Sequence, residues 1–146
     1  MIYQGKSRHP VREVVLHCAG VPTGFFTGKG PQAVRDEIDG WHRARGWAGI
    51  GYHALILPSG YVKQGRPWDR VGAHVAGHNT GKFGLLLIES VEVERIGQFA
   101  EWFTSAQRLA ARQLIGGLGG IEKVSGHNDY ARKLCPGFKV RSEDWL

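Results

Sequence analysis

Arg12-Glu13-Val14-Val15-Leu16-His17 is a short apolar run that ends in a histidine. Pro10 bounds it on one side and Gly20-Val21-Pro22 on the other. An apolar run between turn signals reads as a buried strand. Its last side chain would project from the end of a sheet, where ligands are commonly held. Downstream, Gly24 to Gly30 is a glycine-rich loop carrying Phe25 and Phe26. Pro31, tolerated in a first helical turn, then opens PQAVRDEIDGWHRARG. Ala33, Val34, Ile38 and Trp41 fall on one face at helical spacing, with Gly46 as the expected stop.

Ile50 to Leu57 (IGYHALIL) reads as a strand, joined through Pro58-Ser59-Gly60 to a second at Tyr61 to Gln64. That pattern predicts a hairpin. Trp68 to Asn79 is loop-rich, and Lys82 to Glu89 (KFGLLLIE) reads as a central strand. Gln98 to Leu114 predicts one helix with Phe99, Trp102, Phe103, Ala106, Leu109, Ala110 and Gln113 along its buried stripe. Gly116 to Gly120 should end it, and Glu122 to Ser125 predicts a last short strand. Strands interleaved with two long helices predict a layered α/β domain.

The chain of 146 residues is expected to form one domain spanning 1–146, able to bury a core without disulfides. Its 42% hydrophobic and 22% charged residues are ordinary for a soluble protein. The longest apolar run, Leu85 to Ile88, is too short for membrane insertion. Met1 to Lys6 lacks the basic-then-apolar pattern of a signal peptide. With no export route indicated, the two cysteines are expected as free thiols or metal ligands. A net charge of +6 favours a polyanionic partner such as nucleic acid, an anionic membrane face or a wall polymer, while simple solubility explains it equally well. The basic residues are scattered, so no specific nucleic-acid site is expected.

Gly126-His127-Asn128-Asp129-Tyr130-Ala131-Arg132-Lys133-Leu134-Cys135-Pro136-Gly137-Phe138 sets a histidine, a lysine and a cysteine on one segment. Imidazole and thiolate are ligands that zinc prefers, and a third ligand would leave one tetrahedral position open for water. His17, His127 and Cys135 could converge from two strand ends and a returning loop. The spacing alone also fits a capped loop with a buried thiol. Cys18 follows His17 and, on an extended strand, points to the opposite face, so it is expected to be a core thiol.

Two further stretches set the context: Gly46-Trp47-Ala48-Gly49-Ile50-Gly51-Tyr52-His53 and Gly72-Ala73-His74-Val75-Ala76-Gly77-His78-Asn79. With REVVLH before them and GHNDYARKLCPGF after, the chain resembles the zinc-dependent N-acetylmuramoyl-L-alanine amidases of type 2. That family also contains the peptidoglycan-recognition proteins. The resemblance covers essentially the whole chain and is nearest to the short single-domain amidase endolysins of tailed phages, also called phage lysozymes although they cleave no sugar. It implies a mixed central β-sheet of about five or six strands, flanked by two long helices and short helical turns.

The resemblance also assigns residues. It implies one zinc ion per chain on His17, His127 and Cys135, with Tyr52 and Lys133 as catalytic groups. Lys133 would stabilise a tetrahedral oxyanion, and Tyr52 would hydrogen-bond the water or the oxyanion. His74 is expected at the rim of the cleft, touching substrate. His53 should face away from Tyr52 as a structural histidine, and His78 and Asn79 should shape their loop. His9 and His42 read as surface residues. Trp41, Trp47 and Trp68 fit the core or a stacking surface equally.

The implied reaction is hydrolysis of the amide between N-acetylmuramic acid and L-alanine in peptidoglycan, by a monomeric phage or prophage endolysin. The alternatives are a peptidoglycan-recognition module that does not cut, and an amidase that also binds a phage RNA polymerase through Met1 to Arg12. The family implies residence in the host cytoplasm until a holin opens the membrane.

Overall fold

A computed structural model describes all 146 residues. Five strands form the main sheet: β3 (Glu13–Cys18), β4 (Ala54–Ile56), β5 (Val62–Gln64), β6 (Lys82–Leu87) and β7 (Lys123–Gly126). They lie in the order β5-β4-β6-β3-β7. Before them, β1 (Tyr3–Gln4) and β2 (His9–Pro10) make a small antiparallel ribbon. β3 pairs in parallel with both β6 and β7, and β6 in parallel with β4; only the β4–β5 hairpin is antiparallel. The mixed sheet thus has the expected strand number.

The central strands are apolar without alternation because helices cover both faces. On one face Leu16, Cys18, Phe83, Leu85 and Leu87 pack with Ala111, Ile115 and Leu118 of α3 (Ser105–Leu118). On the other, Leu55, Leu86 and Ile88 meet Val34 and Ile38 of α1 (Pro31–Ala44). Truncating a fully buried residue such as Ile38 to alanine should cost about 2–5 kcal/mol. No helix is long and apolar enough to cross a membrane.

Three expectations need correction. The helix expected over Gln98 to Leu114 is two, because the chain is extended at Phe103 after the short α2 (Phe99–Trp102). Thr104 then caps α3, its hydroxyl accepting from the Gln107 N–H at 3.1 Å. The restart shifts the helical phase, so Gln107, Ala111, Ile115 and Leu118 are buried while Leu109 is 61% exposed. The Gln107 amide reaches the carbonyls of Ile56 and Ile88, tying α3 to strand ends on the sheet.

The strand expected from Ile50 survives only at Ala54–Ile56. The carbonyls of Gly49 and Ile50 are instead taken by the Arg66 guanidinium. His42 is not a surface residue. It follows Val34 and Ile38 at successive four-residue steps on the buried face of α1 and is 4% exposed, whereas Ala33 is exposed.

Candidate metal centre and cleft

β3 and β7 run parallel with Leu16 opposite Gly126, so both present their carboxyl ends at one edge of the sheet. Ligands in open parallel sheets are generally held beyond the carboxyl ends of the strands. His17 is the penultimate residue of β3 and His127 the first after β7; their rings lie 4.8 Å apart. Asp129 accepts the Gly126 N–H at 2.8 Å and so turns the chain sharply after β7. The returning loop closes where Asn128 N–H donates to the Cys135 carbonyl at 2.9 Å. Tyr130 and Ser125 both donate to Glu13, which anchors this segment to β3.

These contacts bring His17, His127 and Cys135 together, with one ligand atom from each lying within 4.8 Å of the others. Nδ1 of His17 is 3.8 Å from Sγ of Cys135. A tetrahedral zinc site with ordinary bond lengths has an N···S edge of about 3.5 Å, so small side-chain rotations would close the set on an ion. The donor types fit as well. Hydrogen bonding from Cys18, and then from His127 and His17, holds the Cys135 thiol well below its usual range despite burial. Cys18 is pushed the opposite way, first by its bond to Cys135 and then by burial. Of the two, Cys135 is therefore the more acidic thiol and Cys18 the less acidic. Desolvation lowers His17 from the ordinary imidazole value, which keeps its ring neutral and able to donate a lone pair.

The cluster opens onto a cleft of about 490 Å³ whose lining includes Trp47, Tyr52, His74, His127, Tyr130 and Lys133. The Tyr52 ring lies 5.0 Å from that of His17. Burial raises the Tyr52 phenol above its usual range, so it remains protonated and able to donate a hydrogen bond. Lys133 also lines the cleft and is exposed. A larger cavity of about 710 Å³ lies against Arg35, Arg43 and Arg66, away from this cluster. Three of its guanidiniums are already engaged: Arg35 and Arg43 pair with Asp39, and Arg66 binds backbone carbonyls.

The remaining expected residues divide. His74 stands in the wall of the cleft rather than on its rim: it is 7% exposed, with Nδ1 3.0 Å from Nε2 of His17. His53 is fully buried; its Nδ1 accepts from Gly84 N–H and its Nε2 faces the Arg70 carbonyl, which is a structural position. Asn79 shapes the loop by accepting from the N–H groups of His74 and Val75. His78 is exposed beside the Tyr130 ring, and His9 is exposed on β2. Trp41 packs near Phe25 and Phe26, and Trp68 against Phe83, while Trp47 is exposed at the cleft.

Two contributors escaped the sequence reading. His42 Nδ1 accepts the Gly51 N–H at 2.8 Å and fixes the backbone just before Tyr52. The four-residue spacing from Val34 through Ile38 was a signal for it. Glu89 takes the N–H groups of Ala19 and Gly20 at 2.8 Å each, holding the chain as it leaves β3. Nothing local marks that partnership, which spans some seventy residues.

Comparison with known proteins gives one answer. The sequence model of the Amidase_2 family, N-acetylmuramoyl-L-alanine amidase, matches residues 7–138. The endolysin of Klebsiella phage KP32 is 33% identical over 143 residues, covering 94% of this chain and 88% of its own length. The endolysin of Escherichia phage T7 is 32% identical with the same coverage. Among solved structures, the N-acetylmuramoyl-L-alanine amidase LysC from Clostridium intestinale URNW superposes with a TM-score of 0.71 at 30% identity, over 93% of this chain and 82% of that one. Drosophila PGRP-LB shares the fold at a TM-score of 0.71 and 23% identity, covering 92% and 78%. The chain belongs to the N-acetylmuramoyl-L-alanine amidase family.

Proposed function

We propose that this protein is a zinc-dependent endolysin that hydrolyses the amide between N-acetylmuramic acid and L-alanine of peptidoglycan. The observation that carries the reading is the convergence of His17, His127 and Cys135 at a cleft that also holds Tyr52 and Lys133. A zinc ion on those three residues would supply Lewis acidity toward the attacking water and the scissile carbonyl.

The chain's own groups do the rest. Tyr52, kept protonated by burial, donates a hydrogen bond toward the reacting oxygen. Lys133 places a positive charge where the oxyanion develops. The Cys18 N–H, donating to Cys135 Sγ at 3.2 Å, steadies the thiolate. His42 and Glu89 hold the backbone beside Tyr52 and beyond His17, so neither segment must reorganise during turnover.

The test is digestion of purified peptidoglycan with identification of the new ends. New L-alanine amino termini, abolished by a chelator and restored by zinc, support the reading. New reducing sugars would mean a glycosidase. Binding without any new ends would instead leave a recognition module.

A further inference from the structure

His74 lies in a slot cut into the fold by two glycines. A Cβ built on Gly84 would come 2.6 Å from the His74 ring, and one on Gly72 would come 2.5 Å from it. The loop above is pinned by Asn79, which accepts from the N–H groups of His74 and Val75 at 2.9 and 2.8 Å. The ring therefore has one place to go, and that place sets Nδ1 3.0 Å from Nε2 of His17.

The two nitrogens of His17 face different neighbours. Nδ1 faces Cys135 Sγ and so belongs to the ligand cluster. A nitrogen that shares its lone pair with a cation carries no proton, so the proton of the neutral ring must sit on Nε2. That N–H has His74 Nδ1 as its acceptor. His74 must then hold its own proton on Nε2, an atom buried without a hydrogen-bond partner.

We propose that His74 is a positioning residue for the metal centre: it accepts the Nε2–H of His17 and so locks that imidazole in the tautomer and rotation that aim Nδ1 at the ion. The inference rests on the proposed role of His17 as a zinc ligand. Metal-bound imidazoles are held in this way by a hydrogen bond from the second ring nitrogen, usually to a carboxylate or carbonyl. Here a second imidazole takes that place, and Gly72, Gly84 and Asn79 build its seat.

The test compares the purified full-length chain with His74→Leu, which removes the acceptor, and His74→Asn, whose side-chain oxygen can stand near Nδ1. Zinc affinity is measured by competition with a chromogenic chelator, and ligand geometry by the absorption bands of the cobalt-substituted protein. His74→Leu should bind zinc about 10–100-fold more weakly, with shifted cobalt bands. His74→Asn should recover most of the affinity and the wild-type bands. Wild-type affinity and bands in His74→Leu would overturn the proposal. So would a loss in His74→Leu that His74→Asn does not repair, since that is the mark of a merely structural role. If His74→Leu does not fold, Gly84→Ala serves instead, because its new methyl group must displace the ring. Weaker zinc binding and shifted bands in that variant support the proposal, and wild-type values overturn it. A wild-type chain that takes up no zinc would defeat the metal-centre reading itself, an outcome distinct from all of these.

Discussion

The backbone N–H of Cys18 donates to Sγ of Cys135 across 3.2 Å, so the end of β3 reaches directly to the loop returning from β7. Donated by the backbone, this hydrogen bond survives any change of the Cys18 side chain that keeps the strand in place. Sγ is thereby fixed from the strand as well as from its own loop.

Cys135→Ser removes the proposed soft ligand while preserving shape. Zinc content, measured by atomic emission, should fall from stoichiometric to near zero, and wall lysis should fall with it. Undiminished lysis in this variant would sink the ligand assignment.

Tyr52→Phe and Lys133→Ala should leave zinc stoichiometric, because neither side chain is among the clustered donors. In the proposed mechanism each removes a group that faces the developing charge, and turnover should drop by about 10²–10³-fold with little change in KM. Loss of metal in either variant would make that residue structural.

Burial holds His42 and His53 at about 4, against about 6.5 in an unfolded chain. The unfolded chain therefore takes up protons first as pH falls. The stability these neutral rings contribute is complete above pH 6.5 and declines as pH drops toward 4. For the fully buried His53 the loss is roughly 3 kcal/mol across that window. Glu89, which burial pushes up, acts in the opposite sense. Urea midpoints at pH 7.5, 6 and 5 should decrease in that order. A midpoint constant over the range would contradict the buried neutral histidines.

Thr104→Ala strips the cap that restarts α3 and also the hydroxyl bond to the Pro58 carbonyl. It should cost about 1–2 kcal/mol in urea unfolding. Zinc content should stay at the wild-type level, since α3 packs on the face of the sheet opposite His17.

The apolar runs at Val14 to Leu16 and Phe83 to Leu87, and the periodicity after Pro31, were enough to specify an α/β fold with these strands at its centre. Burial of uninterrupted apolar strands needs no distant information. The motifs around His17, Tyr52, His127 and Cys135 carried the family resemblance, because the chemistry of a metal site restricts residue types at each position. Tertiary structure alone decided how those residues are supported. His42 meets Gly51 nine residues away, His74 meets His17 across fifty-seven, and Glu89 meets Ala19 across seventy. Such bonds depend on which strand ends the sheet order sets side by side. Local propensity carries no record of that order, so the candidate ligands could be read from the chain, while the groups that support them required the fold.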